Sequence, residues 1–175
     1  MIQLRPHDSK YAEKMSELTS QPAIKNALGL ADDMVTIEGI KQFIRHVTTD
    51  DKQYSRVIFA GDTLVGVITL KDITVESAHI GTWIGEPYWG RGYNEAAKEL
   101  MFRYAFEELG LQRVFAGAAK RNIRSLKAQE KLGYVTMDVG KRYPIDLITI
   151  EKITGEPCQL NVILRDNFLA QVAKR

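Results

Sequence analysis

The sequence predicts an α/β (α+β) domain in which helices flank a mixed β-sheet. Between residues 77 and 133, strand-like runs alternate with helical patterns, an order that favours a locally parallel arrangement. Short apolar runs separated by turn signals flank this stretch, and they predict hairpins with antiparallel strands. A length of 175 residues fits one hydrophobic core. We therefore expect a single domain over residues 1–175.

The first part of the chain predicts one strand and two helices. Residues 2–5 alternate apolar and polar side chains, as in a strand. Asp8 or Ser9 is suited to cap a first helix, and Thr36 to cap a second. The apolar stripes of these helices are formed by Tyr11, Met15 and Leu18, and by Ile37, Ile40, Phe43, Ile44 and Val47. Residues 21–35, rich in turn formers, are predicted to be irregular.

The middle of the chain predicts three strands and then a long helix. The strands are expected at residues 56–60, 63–71 and 77–85, with a turn at Gly61. The helix follows a glycine-bearing turn and ends at Gly110. Its predicted apolar stripe consists of Ala96, Ala97, Leu100, Met101, Tyr104, Ala105 and Leu109.

The last part predicts three more strands and one short helix. The strands are expected at residues 114–119, 134–139 and 160–164, with an uncertain hairpin between the last two. The helix begins at Asn122, a good N-cap residue, and Gly133 closes it.

The composition indicates a soluble protein without a strong charge bias. A net charge of +2 gives no general reason to expect nucleic acid or an anionic membrane as partner. Cys158 is the only cysteine, so an intramolecular disulfide is excluded and a reducing compartment fits. The N-terminal residues lack the apolar stretch of a signal peptide, and no apolar run is long enough for a membrane span. We expect a cytoplasmic protein with no metal.

The stretch Trp89-Gly90-Arg91-Gly92-Tyr93-Asn94 predicts an anion site. It connects a strand-like segment to the long helix, so unpaired backbone amides and the positive end of the helix dipole meet there. This arrangement suits a pyrophosphate group. A glycine turn that merely joins a strand to a helix would have a similar sequence, so neighbouring motifs decide between the two interpretations.

Those motifs make residues 78–134 resemble the GNAT superfamily of acetyl-coenzyme-A-dependent N-acetyltransferases. They are the run from Ala78 to Tyr93, the pair Asn122-x-x-Ser125, and Glu130-Lys131-Leu132-Gly133-Tyr134. The branch that is most similar includes the ribosomal-protein alanine and spermidine N-acetyltransferases. The resemblance implies a GNAT-like mixed sheet that is splayed at its centre.

The resemblance also implies which residues bind acetyl-coenzyme A. The positions of the family's pyrophosphate motif fall on Trp89, Gly92 and Asn94, where Asn94 replaces a glycine or alanine and could instead cap the helix. A bulged strand before the turn offers backbone amides to the thioester, and Arg91 and Arg124 are placed for the 3′-phosphate. The full cofactor-binding set is Thr82, Trp83, Ile84, Trp89, Gly90, Arg91, Gly92, Tyr93, Asn94, Asn122, Arg124 and Ser125.

Two residues are candidates for catalysis. The resemblance implies that Ser125 donates a proton to the departing thiolate, since Gln129 occupies the position where many relatives have a tyrosine. His79 occupies a strand position where many relatives have a glutamate, and it could take a proton from the amine. A solvated serine and a packed histidine are the plain alternatives. The carboxylates Glu76, Glu86 and Asp138 remain open as bases.

The implied reaction is transfer of an acetyl group from acetyl-coenzyme A to a primary amine, either a small molecule or a protein N-terminus. The alternative is an acyl-coenzyme-A-binding sensor or interaction domain with little catalysis. A Rossmann dinucleotide site is excluded because Glu95 follows where a third glycine is needed. A homodimer stays open. The acceptor site is expected to be rimmed by residues 21–35 and 140–156, with Asp32, Asp33 and Glu38 attracting a cationic amine.

Overall fold

The computed structural model describes residues 1–174 of the chain. Its strands are β1 (Ile2–Arg5), β2 (Tyr54–Ala60), β3 (Thr63–Lys71), β4 (Ser77–Ile84), β5 (Arg113–Ala119), β6 (Val135–Thr136) and β7 (Cys158–Leu164). Its α-helices are α1 (Ala12–Thr19), α2 (Pro22–Leu28), α3 (Ile37–Thr49), α4 (Tyr93–Arg103), α5 (Ile123–Glu130), α6 (Pro144–Thr154) and α7 (Arg165–Val172). Short 3₁₀ turns occur at Ser9–Tyr11, Asp32–Met34 and Glu86–Tyr88, and a π-helical turn, Tyr104–Glu108, follows α4.

The strands of residues 1–174 form one seven-stranded sheet in the order β1-β2-β3-β4-β5-β7-β6. Its strand pairs are antiparallel at β1–β2, β2–β3, β5–β7 and β6–β7, and parallel at β4–β5. The sheet is therefore mixed, as the sequence predicts. The chain divides into two compact units, which are unit 1 (residues 1–71 and 81–101) and unit 2 (residues 72–80 and those from 102 onward).

Unit 1 has a core between its helices and its antiparallel strands. The buried residues of this core are Ala12, Met15 and Leu18 from α1, Ile40 and Ile44 from α3, and Val57, Phe59, Leu64 and Val67 from β2 and β3. Thr36 caps α3, since its Oγ1 accepts a hydrogen bond from the Gly39 amide at 3.0 Å, which confirms the predicted cap. The β2–β3 pairing shifts its register between Ile58, opposite Gly66, and Phe59, opposite Leu64, so Val65 of β3 is the extra residue of a bulge.

Unit 2 contains a group of packed aromatic rings and a second apolar cluster, against which α6 packs. Phe102 lies 5.7 Å from Tyr134 and 5.6 Å from Phe168 between ring centroids, in edge-to-face arrangements that favour these contacts. Phe115, Val139, Leu160 and Val162 form the second cluster, against which Leu147 and Ile150 of α6 pack. The parallel ladder of β4 and β5 joins Ser77–His79 to Arg113–Phe115, so it ends halfway along β4.

The structure corrects the sequence prediction in two irregular regions. Residues 21–35 contain α2, because Pro22 suits the first turn of a helix and Gly29, with φ 65°, ends it in the left-handed conformation. The expected hairpin after residue 139 is instead the helix α6. Its isoleucines lie on all sides, with Ile145 and Ile148 exposed, so the sequence shows no apolar stripe.

Some strand boundaries and helix details also differ from the prediction. The strand expected at residues 134–139 shrinks to Val135–Thr136, and the last strand begins earlier, at Cys158. The helix α7 was not predicted. In the long helix, Leu100 and Leu109 are partly exposed, whereas the unpredicted Phe102 and Phe106 are fully buried. The buried face is therefore rotated toward the phenylalanines, which bury more apolar area than leucine. No helix within residues 1–174 is both long and apolar enough to span a bilayer.

Candidate active site

The glycine turn before α4 contains two glycines with positive φ. Gly90 and Gly92 have φ angles of 78° and 77°, a region that glycine enters without strain. A Cβ on either glycine would meet no atom within 4 Å, so the backbone conformation, and not crowding, requires glycine there. The Ala96 amide donates to the Gly92 carbonyl at 3.1 Å and closes the first helical turn. The amides of the residues before Ala96 thus have no partner inside the helix.

Trp89 attaches this turn to the end of β4. Its indole Nε1 donates a hydrogen bond to the Ile84 carbonyl at 2.7 Å. The Gly85 amide donates to the Val65 carbonyl of β3 at 2.8 Å, which fixes the same segment from the other side. A Cβ on Gly85 would come within 2.8 Å of a Leu18 methyl group, so α1 packs directly on the chain here. The two hydrogen bonds and this contact attach the segment before the glycine turn to β3, β4 and α1.

Two polar atoms near the end of β4 and the start of α4 are buried without a partner. They are Thr82 Oγ1 and Asn94 Oδ1, neither of which makes a hydrogen bond within the described part of the chain. Buried polar atoms without a partner are costly and call for an explanation, such as a missing ligand. Asn94 does not cap α4, because the helix begins one residue earlier, at Tyr93. The suggested capping role for Asn94 is therefore wrong.

Asn122 and Ser125 start α5 in unit 2. The Ser125 amide donates to Asn122 Oδ1 at 3.3 Å, so the predicted N-cap is confirmed and both residues lie on one face of the helix. Ser125 Oγ accepts a hydrogen bond from Gln129 Nε2 at 3.3 Å. Asn122 caps the helix with its oxygen, and within residues 1–174 its side-chain nitrogen makes no hydrogen bond. That nitrogen remains available to a ligand.

His79 is buried and pairs with a residue that the sequence did not single out. Its Nε2 lies 3.0 Å from Oδ1 of Asp146, in the first turn of α6, and the two side chains are 8% and 29% exposed. A carboxylate only accepts hydrogen bonds, so Nε2 carries the proton and Nδ1 is left as the acceptor. The ring also lies 5.1 Å from that of Phe115. Asp146 was missed because its helix has no apolar stripe, although Pro144 in the first turn and Gly155 at the C-cap, with φ 74°, are boundary signals that could have indicated the helix.

Residues 2–135 match the family model of the acetyltransferase (GNAT) domain. The chain belongs to the GNAT family. The resemblance found in the sequence is thereby confirmed, and with it the expected fold class. The match ends before α6, β7 and α7.

Several named proteins are similar to this GNAT chain. YjcK of Bacillus subtilis (strain 168), named as an N-acetyltransferase, is 32% identical over 112 residues, which cover 59% of this chain and 62% of that protein. YdaF of the same organism, named as a ribosomal N-acetyltransferase, is 29% identical over 77% of this chain and 78% of its own length. The Vibrio cholerae spermidine N-acetyltransferase, solved with coenzyme A and spermine, has a TM-score of 0.74 at 15% identity and covers 96% of this chain and 98% of its own.

The other charged candidates are mostly occupied by partners in the GNAT chain. Glu76, an alternative base, accepts a hydrogen bond from Arg113 Nη2 at 3.1 Å. Arg121, directly before the Asn122 cap of α5, is paired with Glu156 through two hydrogen bonds of 2.6 and 3.0 Å, which raise the pKa of Arg121. Arg124 is exposed. Glu86, another alternative base, is exposed as well.

The acidic residues expected to attract an amine are partly neutralised. Lys25 donates a hydrogen bond to Asp32 and lowers the pKa of that carboxyl group. Glu38 pairs with Arg45 at 3.2 Å on α3, whereas Asp33 is exposed. Ion pairs at the surface reduce the field that a distant cation would feel. An acceptor site beside these residues stays a prediction.

Proposed function

We propose that this GNAT chain transfers the acetyl group of acetyl-coenzyme A directly to a primary amine, either a small molecule or a protein N-terminus. The observation that carries the proposal is the glycine turn, whose amides are open at the start of α4. Family membership supports the reaction class. The names of its relatives support both acceptor classes, since one is named as a ribosomal N-acetyltransferase and another was solved with spermine.

The proposed pyrophosphate site is the run from Trp89 to Asn94. Its helix N-terminus offers amides and a positive dipole end, which favour the negatively charged oxygens of a pyrophosphate. The unpaired Thr82 Oγ1 supports a ligand site here, because a hydroxyl can donate to an oxygen of a bound substrate. Trp83 and Ile84 are proposed to contribute backbone amides to the thioester oxygen, Asn122 a side-chain amide to the pantetheine arm, and Arg91 and Arg124 charge to the 3′-phosphate.

Three groups are proposed to act in the chemical step. The neutral amine attacks the thioester carbonyl carbon, and the C–S bond breaks with its electron pair on sulfur. His79 Nδ1 takes the proton that the amine nitrogen loses, since Nε2–H is already committed to Asp146. Backbone amides stabilise the oxyanion. Ser125 stabilises the thiolate, which finally gains a proton from water as His79 returns its own to water.

The test combines binding with turnover. Acetyl-coenzyme A binding is measured by calorimetry, and free-thiol release is followed with polyamines, amino-acid derivatives and short peptides as acceptors. Binding with acceptor-dependent thiol release is the expected result, and the acceptor that gives the highest kcat/KM names the substrate class. Binding without release from any acceptor would favour the alternative of an acyl-coenzyme-A sensor. Absence of binding would contradict the proposal altogether.

A further inference from the structure

Two buried side-chain amides of unit 2 form a hydrogen-bonded series that ends at the half-buried Ser125. Asn161 on β7 is 0% exposed and Gln129 on α5 is 3% exposed. Asn161 Nδ2 donates to Gln129 Oε1 at 2.7 Å, and Gln129 Nε2 donates to Ser125 Oγ at 3.3 Å. Buried side-chain amides are expensive unless all of their atoms are paired. A series of this kind therefore needs a reason beyond packing.

The direction of the series is fixed by the backbone. The Asp138 amide donates to Asn161 Oδ1 at 2.8 Å, and a backbone N–H can only donate. Gln159 Nε2 donates to the same oxygen at 2.9 Å. Asn161 must therefore present its nitrogen to Gln129, which must accept with its oxygen and donate with its nitrogen. A flip of either amide would place two donors or two acceptors face to face.

The consequence for Ser125 is that its hydroxyl is an acceptor toward the protein and a donor toward whatever approaches it. Within residues 1–174 the hydroxyl makes no hydrogen bond besides the one from Gln129. Helix hydroxyls elsewhere, such as those of Thr48 and Thr149, donate to the carbonyl four residues earlier. Ser125 lies in the first turn of α5 and makes no such bond, so its proton remains uncommitted.

We propose that Gln129 is a positioning residue that holds the Ser125 hydroxyl as a hydrogen-bond donor to the coenzyme A thiolate. This inference rests on the proposed function, because it assigns the thiolate as the acceptor. A thiolate can accept but not donate, and a hydrogen bond to a charged acceptor is about twice as strong as a neutral one. Ser125 keeps its covalent O–H bond, so no further acid or base is needed. Asn161 in turn holds Gln129 in place through its hydrogen bond to Gln129 Oε1.

The first experiment measures the thiol pKa of bound coenzyme A through the ultraviolet absorbance of its thiolate. A donated hydrogen bond lowers this pKa, so we expect it to rise by on the order of one unit in both Ser125→Ala and Gln129→Leu. The Kd of coenzyme A at a pH where the thiol is neutral should stay unchanged. The double variant should match Ser125→Ala alone, because Gln129 acts only through Ser125.

Turnover provides the second readout. We expect kcat to fall about tenfold in each single variant, by the same reasoning, with little change in KM for acetyl-coenzyme A. Gln129→Glu keeps an oxygen for Asn161 but offers Ser125 an acceptor, so the hydroxyl should turn toward the new carboxylate and kcat should fall at least as far. This variant also covers the case in which Gln129→Leu does not fold.

Gln171→Leu is the matched control. Gln171 Nε2 donates to the Leu132 carbonyl at 2.8 Å, so the control removes a comparable side-chain amide of unit 2 that does not lead to Ser125. Wild-type kcat and thiol pKa are expected for it. Two results would overturn the inference but not the proposed function. One is an effect of Gln129→Leu that persists in the Ser125→Ala background, and the other is a Ser125→Ala variant with unchanged thiol pKa and kcat. A wild type that binds no coenzyme A would instead overturn the proposed function, and the inference with it.

Discussion

His79 on β4 and Asp146 on α6 form a hydrogen-bonded pair, with 3.0 Å between Nε2 and Oδ1, although 67 residues separate them in sequence. The carboxylate selects one tautomer of the imidazole and leaves Nδ1 as its basic atom. The proposed general base therefore has one defined tautomer. Substitution of each of the two residues tests its role separately.

His79→Gln is expected to lower kcat/KM by about 10²- to 10⁴-fold, the usual effect of losing a general base. Asp146→Ala should cost less, because the imidazole remains but loses its fixed tautomer. The measurement is thiol release with the best acceptor, and exposed His46, as His46→Gln, is the matched control. Wild-type activity in His79→Gln, or an Asp146→Ala effect that is undiminished in that background, would contradict the assignment.

Gly92→Ala is expected to weaken acetyl-coenzyme A binding by about tenfold, because an alanine at φ 77° strains the turn that presents the amides. Gly61→Ala is a matched control within unit 1. Gly61 has φ 62°, and a Cβ there also meets no atom within 4 Å, so the strain is similar but lies in the β2–β3 turn. Calorimetry on both variants tests the site, and equal Kd values for the two would argue against it.

We expect the protein to lose stability in mild acid because of His7. Burial, with a smaller effect of the Arg56 charge, lowers the pKa of His7 from 6.5 to about 4, and its Nε2 lies 2.8 Å from Ser55 Oγ. Between these pKa values the unfolded chain binds a proton that the folded chain does not, so stability falls as the pH falls through this window. The shift corresponds to about 3 kcal/mol at most.

The check is urea unfolding of wild type and His7→Gln between pH 7 and pH 4. Glutamine can still form a hydrogen bond to Ser55 but does not titrate, so the variant should lose less stability on acidification than the wild type. His46→Gln, which changes an exposed histidine, should keep the full loss. Parallel pH profiles for wild type and His7→Gln would show that His7 is not responsible.

The buried Lys98 on α4 is expected to lower the free energy of unfolding, and a substitution should remove this cost. Lys98 is 7% exposed, and burial lowers its pKa from 10.5 to about 8. The folded chain thus binds this proton less tightly, and the cost is complete below pH 8 and disappears above the unfolded pKa. Lys98→Met should raise the free energy of unfolding at pH 7 by up to about 3 kcal/mol.

The gain from Lys98→Met should shrink as the pH rises from about 8 and vanish only above 10.5, where the wild-type lysine is neutral in both states. Lys127→Met, at an exposed position of α5, is the control and should change stability little. Chemical unfolding at pH 7 and pH 10 measures both. A gain that is the same at the two pH values would mean that methionine stabilises through packing and not through removal of a buried charge.

The segment from β4 to α5 could be predicted from sequence because its signals are local. Glycines with positive φ, an asparagine cap and an apolar stripe each act within a few residues, and the turn before α4 carries the family motif. The helix α6 was missed because its apolar side chains are distributed around the whole helix, so that only Pro144 and Gly155 mark its ends. Asp146 was overlooked with it.

The partners of the proposed catalytic residues were also beyond sequence reasoning. Asn161 contacts Gln129 across 32 residues, and no spacing rule connects a strand residue to a helix residue at that distance. Both Asn161 and Asp146 lie outside residues 2–135, which match the family. In the sequence, Gln129 only occupies the position where many relatives have a tyrosine. In the structure, it is hydrogen-bonded to both Asn161 and Ser125. Such pairings arise only once the chain has folded.

The chain passes between the two compact units three times. One boundary follows Lys71, at the end of β3, while the other two fall inside secondary structure, after Ile80 in the middle of β4 and after Met101 near the end of α4. Each unit is assembled from separated stretches of chain, so any cut within residues 72–101 divides at least one of them. Folding must bring distant stretches together before either unit is complete, which raises the contact order and slows folding. We expect this interleaving to make limited proteolysis all-or-none, with no stable half-length fragment surviving.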